Sequence, residues 1–316
     1  MMTETWITVL ATAFVVGLAS QFLMILIARK TGALDRPEGA LKPHERPVPV
    51  LGGCGIFIGS LAGLIPAIFM YGWSGNLLVI PAAGLMLAAT GLIDDLHALG
   101  PVVRIVTQLV AGLVLYFFGA PVLFGEELLG QNAVGMILSM GLVLMYVIGA
   151  VNSFNMMDGM DGLAGGAGLI AASMAAVILY VCGDQAGTAL ALCLCGSMAA
   201  FLVMNLPPAK IFMGDSGSYF TGGILAALML RIIAVNHSMA ALFCSMLIMG
   251  IFITDSMAAF CRRLYKRQPI FSGDRSHIYD LLLKKNISVP EVLLIMWVLS
   301  SFYGAAAYAV FLYEFY

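Results

Sequence analysis

Two asparagines and two aspartates recur at intervals of three in the stretch Asn152-Ser-Phe-Asn155-Met-Met-Asp158-Gly-Met-Asp161-Gly-Leu-Ala-Gly-Gly166. On a helical turn that spacing puts all four polar side chains on one face. The interleaved glycines leave the backbone free to bend or to approach a ligand. A second pair, Asp94-Asp95, ends an apolar run, and a third carboxylate, Asp215, stands in Gly214-Asp215-Ser216-Gly217. Adjacent carboxylates repel unless a cation neutralises them, and carboxylates at membrane depth are expensive enough to be functional by default. Hard oxygen donors beside phosphate chemistry favour Mg²⁺ over zinc.

Basic residues complete the inventory. Lys42, His44, Arg46, Lys210, Arg262, Arg263, Arg275 and His277 are placed to neutralise phosphates or anionic headgroups. Lys266, Arg267, Lys284 and Lys285 read better as juxtamembrane bases facing an anionic lipid surface. Asp255 lies inside an apolar run and should face the bundle interior. Gly-Asp-Ser-Gly also surrounds the nucleophilic serine of trypsin-like proteases. That chemistry needs a His and an Asp positioned by a soluble β-barrel, so the motif does not transfer here.

The elements that must position these groups are membrane helices. Of the 316 residues 61% are hydrophobic and only 10% charged, whereas a soluble domain carries about 25% charged residues. A bilayer core needs roughly 20 apolar residues per helix. Ten segments qualify, at about 5–28, 50–73, 76–93, 101–118, 133–151, 162–182, 186–206, 217–236, 239–260 and 290–313. They are continuously apolar rather than alternating, which excludes a barrel. The first is too long for a signal-peptide core, and its positive charges follow it, so it reads as a retained span. Gly55, Gly59 and Gly63 recur four apart and predict close helix packing. The six cysteines show no disulfide or metal spacing.

Charge placement orients the bundle. Fourteen of the 15 Lys and Arg fall in or beside alternate loops, and the same loops hold the carboxylates. Only Arg231 falls toward the other side, where the loops carry Glu126, Glu127 and Asp184. By the positive-inside rule the polar loops are cytoplasmic and both termini lie outside. The expected fold is an all-α polytopic bundle, one membrane-embedded domain over 1–316 with a cytoplasmic-face active site.

Taken together, the chain resembles the polyprenyl-phosphate N-acetylhexosamine-1-phosphate transferases, which include the phospho-MurNAc-pentapeptide translocase. Five motifs carry the likeness, in family order. They are Asp35-Arg-Pro with His44…Pro47-Val-Pro and Gly52-Gly53; Asp94-Asp95; the Asn152–Gly166 stretch; Phe212-Met-Gly-Asp215-Ser-Gly-Ser; and Asp274-Arg-x-His277. The resemblance implies attack of a lipid phosphate oxygen on the β-phosphorus of a UDP-N-acetylhexosamine. The products are a polyprenyl-diphospho-sugar and UMP.

It further implies Mg²⁺, or Mn²⁺ in its place, on Asp215 with Asp94 and Asp95, and a catalytic set of Asp94, Asp95, Asp215 and His277. Lys42, His44, Asn152, Asn155, Asp158, Asp161, Asn205, Phe212 and Arg275 would bind the nucleotide sugar, with Phe212 stacking on uracil. The expected setting is a bacterial inner membrane, early in O-antigen, teichoic acid or related glycan assembly. No nucleic acid partner is expected, and a homodimer stays open.

The family usually carries a His-rich run at the last loop, where this chain has His277-Ile-Tyr279-Asp280. Its absence argues against the pentapeptide translocase and leaves the hexosamine open. A secondary transporter would instead place charges at the midplane, often with repeats.

Overall fold

The computed structural model describes residues 2–37, 46–72, 76–119, 132–236, 238–267 and 277–315. The chain is helical almost throughout. Helix α1 (Met2–Thr31) leads through a two-residue antiparallel pair, β1 (Leu34–Asp35) with β2 (Val48–Pro49), to α2 (Gly52–Tyr71). Then follow α3 (Asn76–His97), α4 (Pro101–Val114) with a terminal π-turn at Leu115–Gly119, α5 (Ala133–Met157), α6 (Leu163–Val181) and α7 (Gln185–Asn205). The set ends with α8 (Gly214–Asn236), α9 (Met239–Ile248), α10 (Gly250–Tyr265), the short α11 (Ile278–Lys284) and α12 (Val289–Phe315).

Among the described residues, nine helices are long and apolar enough to cross a membrane, and the pair α9–α10 makes a tenth crossing if counted as one span. The expected all-α polytopic bundle is therefore the fold found. Helix α8 is its axis. It packs against α3, α5, α2 and α9 and is the most enclosed of the spans. Outer helices turn apolar side chains such as Ile7, Phe69, Val102 and Phe302 outward, as a lipid solvent requires. The predicted glycine stripe in α2 faces α1: a Cβ on Gly59 would sit 2.7 Å from the Gly17 Cα. The cysteines are free thiols.

Three boundaries differ from the sequence expectation, each for a physical reason. The predicted straight span 239–260 is two helices bent by 74°. Gly250 at the break lies against the Tyr303 ring, where a Cβ would come within 2.4 Å of Cδ1. The bend lets the polar second half, with Asp255 and Arg263 buried, turn toward the polar end of the bundle. Helix α5 runs to Met157 rather than 151, because its Asn152 amide is satisfied by Gln108 Oε1 at 2.7 Å and Ile148 O at 2.8 Å. Helix α3 runs to His97 rather than 93, with Asp94 accepting from Leu99 N at 2.7 Å just beyond its end.

Arg231, the one base outside the polar loops, is neutralised rather than free. Its Nε donates to Asp184 Oδ2 at 2.7 Å and its Nη2 to Oδ1 at 2.5 Å. Asp184 also caps α7, accepting from Gly187 N at 3.0 Å. Removing one partner of such a buried pair costs about 3–5 kcal/mol, because the other charge is stranded. Arg231→Met should thus lower the Tm in detergent clearly, and adding Asp184→Asn, which keeps the cap acceptor, should restore part of it. Equal Tm values for the single and double variants would contradict the pairing.

Candidate active site

Five segments converge at one end of the bundle: the last turns of α3, the first turn of α4, the end of α5, the turn 158–162 and the start of α8. The junction between α3 and α8 organises them. Asp95 accepts from the backbone N–H groups of Asp215, at 2.7 Å, and Ser216, at 3.1 Å. These are among the first amides of α8, which lack partners inside their own helix, and the helix dipole favours a negative charge there. Small residues permit the approach. A Cβ on Gly91 would lie 2.3 Å from Asp215 O, and one on Gly53 would lie 2.1 Å from Gly217 N.

Asp215 is held from a third helix. Its Oδ1 accepts from Asn155 Nδ2 at 2.6 Å, and the same amide donates to Ser218 Oγ at 2.8 Å. Asp94, one residue before the brace, is buried and ion-paired. Arg104 donates to it through Nη2 at 2.7 Å and holds Nε 2.6 Å from Oδ2 as an ion pair, and the Tyr219 hydroxyl donates at 3.2 Å. Asp94 and Asp215 are electrostatic neighbours, and Arg104 acts on both. Like charges so placed repel, and positive charge relieves them.

The predicted single face of four polar side chains does not form. The helix ends at Met157, and Gly162 takes a left-handed conformation at φ 76°, so Asp158 and Asp161 lie on a turn rather than in line with Asn152 and Asn155. Asn152 points to Gln108 on α4. Asp161 accepts from Ala209 N at 2.9 Å. Asn205 is buried, with its oxygen on Gly162 N at 2.8 Å and its nitrogen on Ile211 O at 2.9 Å. Its amide therefore ties two loops together. Phe212 is half-buried, and its backbone is fixed by Pro49 O at 2.7 Å and Gly52 N at 3.0 Å.

Asp158 is different, since no other described side chain or backbone group donates a hydrogen bond to its carboxyl. Desolvation, then the like charges of Asp215, Asp95 and Asp161, push its pKa up to about 7. A carboxylate perturbed in this way, in a charged cluster, is a functional candidate.

His277 approaches from the last loop. Its Nδ1 lies 2.6 Å from Asp255 Oδ2, while Asp255 Oδ1 accepts from Ile278 N at 2.6 Å. A carboxylate can only accept, so Nδ1 carries the proton and Nε2 is left for another partner. Asp255 is fully buried, facing the interior as expected. Lys42, His44 and Arg275 lie outside the described residues. Arg46 and Lys210 are exposed.

Sequence reading missed four members: Arg104, Gln108, Ser218 and Tyr219. Ser218 and Tyr219 stand three and four residues after Asp215, and Arg104 and Gln108 are four apart on α4. Helical spacing from the carboxylates was the signal available for Ser218 and Tyr219.

The donor set suits Mg²⁺ in chemistry. The candidates are all hard oxygens, and the neighbouring carboxylates Asp94, Asp95, Asp158 and Asp215 favour added positive charge. No group of three or more His, Cys, Asp or Glu side chains converges as a closed metal cage among the described residues. Mg²⁺ does not require one, being held by one or two carboxylates together with substrate phosphates. Asp215 is the strongest candidate ligand, because both oxygens of Asp95 already receive backbone N–H groups and both of Asp94 already meet Leu99 N, Arg104 and the Tyr219 hydroxyl.

Residues 77–233 match the family model described as Glycosyl transferase family 4. A Bacillus subtilis protein named "Probable undecaprenyl-phosphate N-acetylglucosaminyl 1-phosphate transferase" is 30% identical, over 94% of this chain and 84% of the relative. A Mycobacterium leprae decaprenyl-phosphate N-acetylglucosaminephosphotransferase is 30% identical, over 92% of this chain and 82% of its own length. The undecaprenyl-phosphate alpha-N-acetylglucosaminyl 1-phosphate transferase of Escherichia coli K12 is 26% identical, over 85% and 74% respectively.

The raised Asp158 pKa has a stability consequence. Its folded-state value lies above its unfolded one, so the folded state binds more protons in between, and stability falls as pH rises from about 4 to about 7. Asp158→Asn removes that loss. Its Tm advantage over the parent should grow between about pH 5 and about pH 8; an advantage independent of pH would contradict the assignment.

Proposed function

We propose, since this chain belongs to glycosyl transferase family 4 and within it to the polyprenyl-phosphate N-acetylhexosamine-1-phosphate transferases, that it transfers N-acetylglucosamine-1-phosphate from UDP-N-acetylglucosamine to polyprenyl phosphate. The observation that carries this reading is the cluster of Asp94, Asp95, Asp158 and Asp215 gathered round the start of α8, with Asp215 held by Asn155, at the end of an apolar bundle. A soluble, anionic nucleotide sugar and a lipid-borne phosphate can meet only at such a boundary. The charge bias of the loops supports a cytoplasmic boundary with both termini outside. The relatives' names support a lipid acceptor of undecaprenyl or decaprenyl type. The product would then be the first lipid-linked sugar of a cell-surface glycan.

The reaction exchanges one phosphoryl bond for another. An oxygen of the lipid phosphate forms a bond to the β-phosphorus, the bond from that phosphorus to the bridging oxygen breaks, and UMP departs with the electron pair. Positioning and charge neutralisation supply most of the catalysis in such transfers. Asp215 would hold Mg²⁺, which neutralises the diphosphate and polarises the transferring group.

Asn155 fixes the Asp215 carboxylate, and Arg104 fixes Asp94. His277, with Nδ1 anchored on Asp255, offers Nε2 to the donor side. Asp158 would face the nucleotide-sugar donor, since Asp94 and Asp95 are already engaged. Asp94 is held by an ion pair, Asp95 by two backbone amides, and Asp158 alone of the three is open to a ligand.

Purified protein with Mg²⁺, undecaprenyl phosphate and UDP-N-acetylglucosamine should release UMP, and chelation should stop it. Asp215→Asn should insert normally and lose at least about a hundredfold in kcat. Absence of UMP release across a panel of UDP-amino sugars would sink this reading.

A further inference from the structure

Among the described residues, Tyr279 joins the start of α11 to the 158–162 turn. Tyr279 is buried, and its ring stacks on His277 with centroids 5.6 Å apart and planes 7° from parallel. Its hydroxyl ends against Gly159: a Cβ there would fall 1.9 Å from Oη and 2.9 Å from Cζ. Real Cβ atoms do not come so close, so the phenol occupies the volume that any other residue at 159 would need.

The rest of the turn is pinned on its far side. Asp161 accepts from Ala209 N, and Gly162 N donates to Asn205. On the near side Asp158 N reaches Asn155 O at 3.1 Å. The Asp158 carboxyl itself has no hydrogen bond to hold it. Its place depends on the backbone between those pins, and that is where Tyr279 bears.

His277 is likewise set from two sides, by Asp255 at Nδ1 and by the Tyr279 ring across its face. We propose that Tyr279 is a positioning residue, a rigid spacer that fixes the separation of His277 and Asp158 and thereby tunes recognition of the nucleotide-sugar donor. This rests on the transferase reading above. It also gives a physical meaning to the tyrosine in a run where histidine is usual. The aromatic ring is long enough to reach Gly159 and stiff enough to transmit position, with only two side-chain torsions. On the transferase reading the lipid phosphate would approach from the side of Asp94, Arg104 and α8.

The test is a double-mutant cycle on Gly159→Ala and Tyr279→Leu, read in both kinetics and Tm. Gly159→Ala alone should raise the donor KM roughly tenfold or more, with the acceptor KM unchanged. In the Tyr279→Leu background, where the Oη and Cζ positions are vacated, the same alanine should add little. Equal penalties in both backgrounds, or an acceptor KM that moves as far as the donor KM, would overturn the proposal. Tyr279→Phe, which keeps the stack and removes the hydroxyl, guards against misfolding of the alanine variant. It should hold the parent Tm and raise the donor KM, and an unchanged donor KM counts against the spacer. If no variant, nor the parent, turns over any UDP-sugar, the Tm cycle still reads the contact. Non-additive Tm values would then keep the contact while the transferase reading fails with the donor role built on it, and additive ones would remove both.

Discussion

One carboxylate bonded to the start of another helix holds the polar end together. Asp95 reaches across from α3 to the first amides of α8, donors that have no partner within their own helix. Each is a charge-assisted hydrogen bond, shorter and stronger than a neutral one, and the helix dipole adds to the attraction. The bond demands close backbones, which explains why Gly53 and Gly91 face α8 where no Cβ would fit. Asp215 and Ser218 follow within one turn of that junction, so their placement is inherited from it.

The second constraint is electrostatic. Asp94, Asp95, Asp158 and Asp215 are close enough to perturb one another, and among the described residues Arg104 is the guanidinium that bonds the group directly. Desolvation and the like charges around it push the Asp158 pKa up to about 7. A stability optimum would not be built this way. A site that receives a cation and anionic phosphates would, since their binding supplies the charge that folding omits.

Much of this was legible from residue type and spacing. Apolar runs of membrane length located the helices, and the lone Asp255 inside one of them was correctly read as inward-facing. The carboxylates were recognisable because charge at membrane depth is costly. What could not be read was which partner each would choose. Intervals of three suggested that Asn152, Asn155, Asp158 and Asp161 share a face, yet helix termination at Met157 sends the two aspartates onto a turn. Asn205 ties two loops together, because its two amide ends happen to meet two backbone groups. The bend at Met249 was hidden for a similar reason: it depends on Gly250 meeting Tyr303, a contact 53 residues distant in sequence.

Helix α8 shows how the parts divide their work. At one end Asp95 binds its backbone; near the other, Arg231 binds Asp184 at the start of α7. A helix anchored at both ends and enclosed along its length cannot shift along its axis without breaking a charged contact. The carboxylate at its start is consequently fixed relative to α3 and α5. The side that meets the 158–162 turn is assembled otherwise, from a short helix, a glycine turn and the bent pair α9–α10, joined through Asp255, His277, Tyr279 and Gly159. Those contacts are partly steric and lie off the axis that α8 fixes. The site thus joins a half held by charged contacts at a helix start to a half held by side-chain packing, and the proposed transfer would divide constant chemistry from variable recognition along the same line.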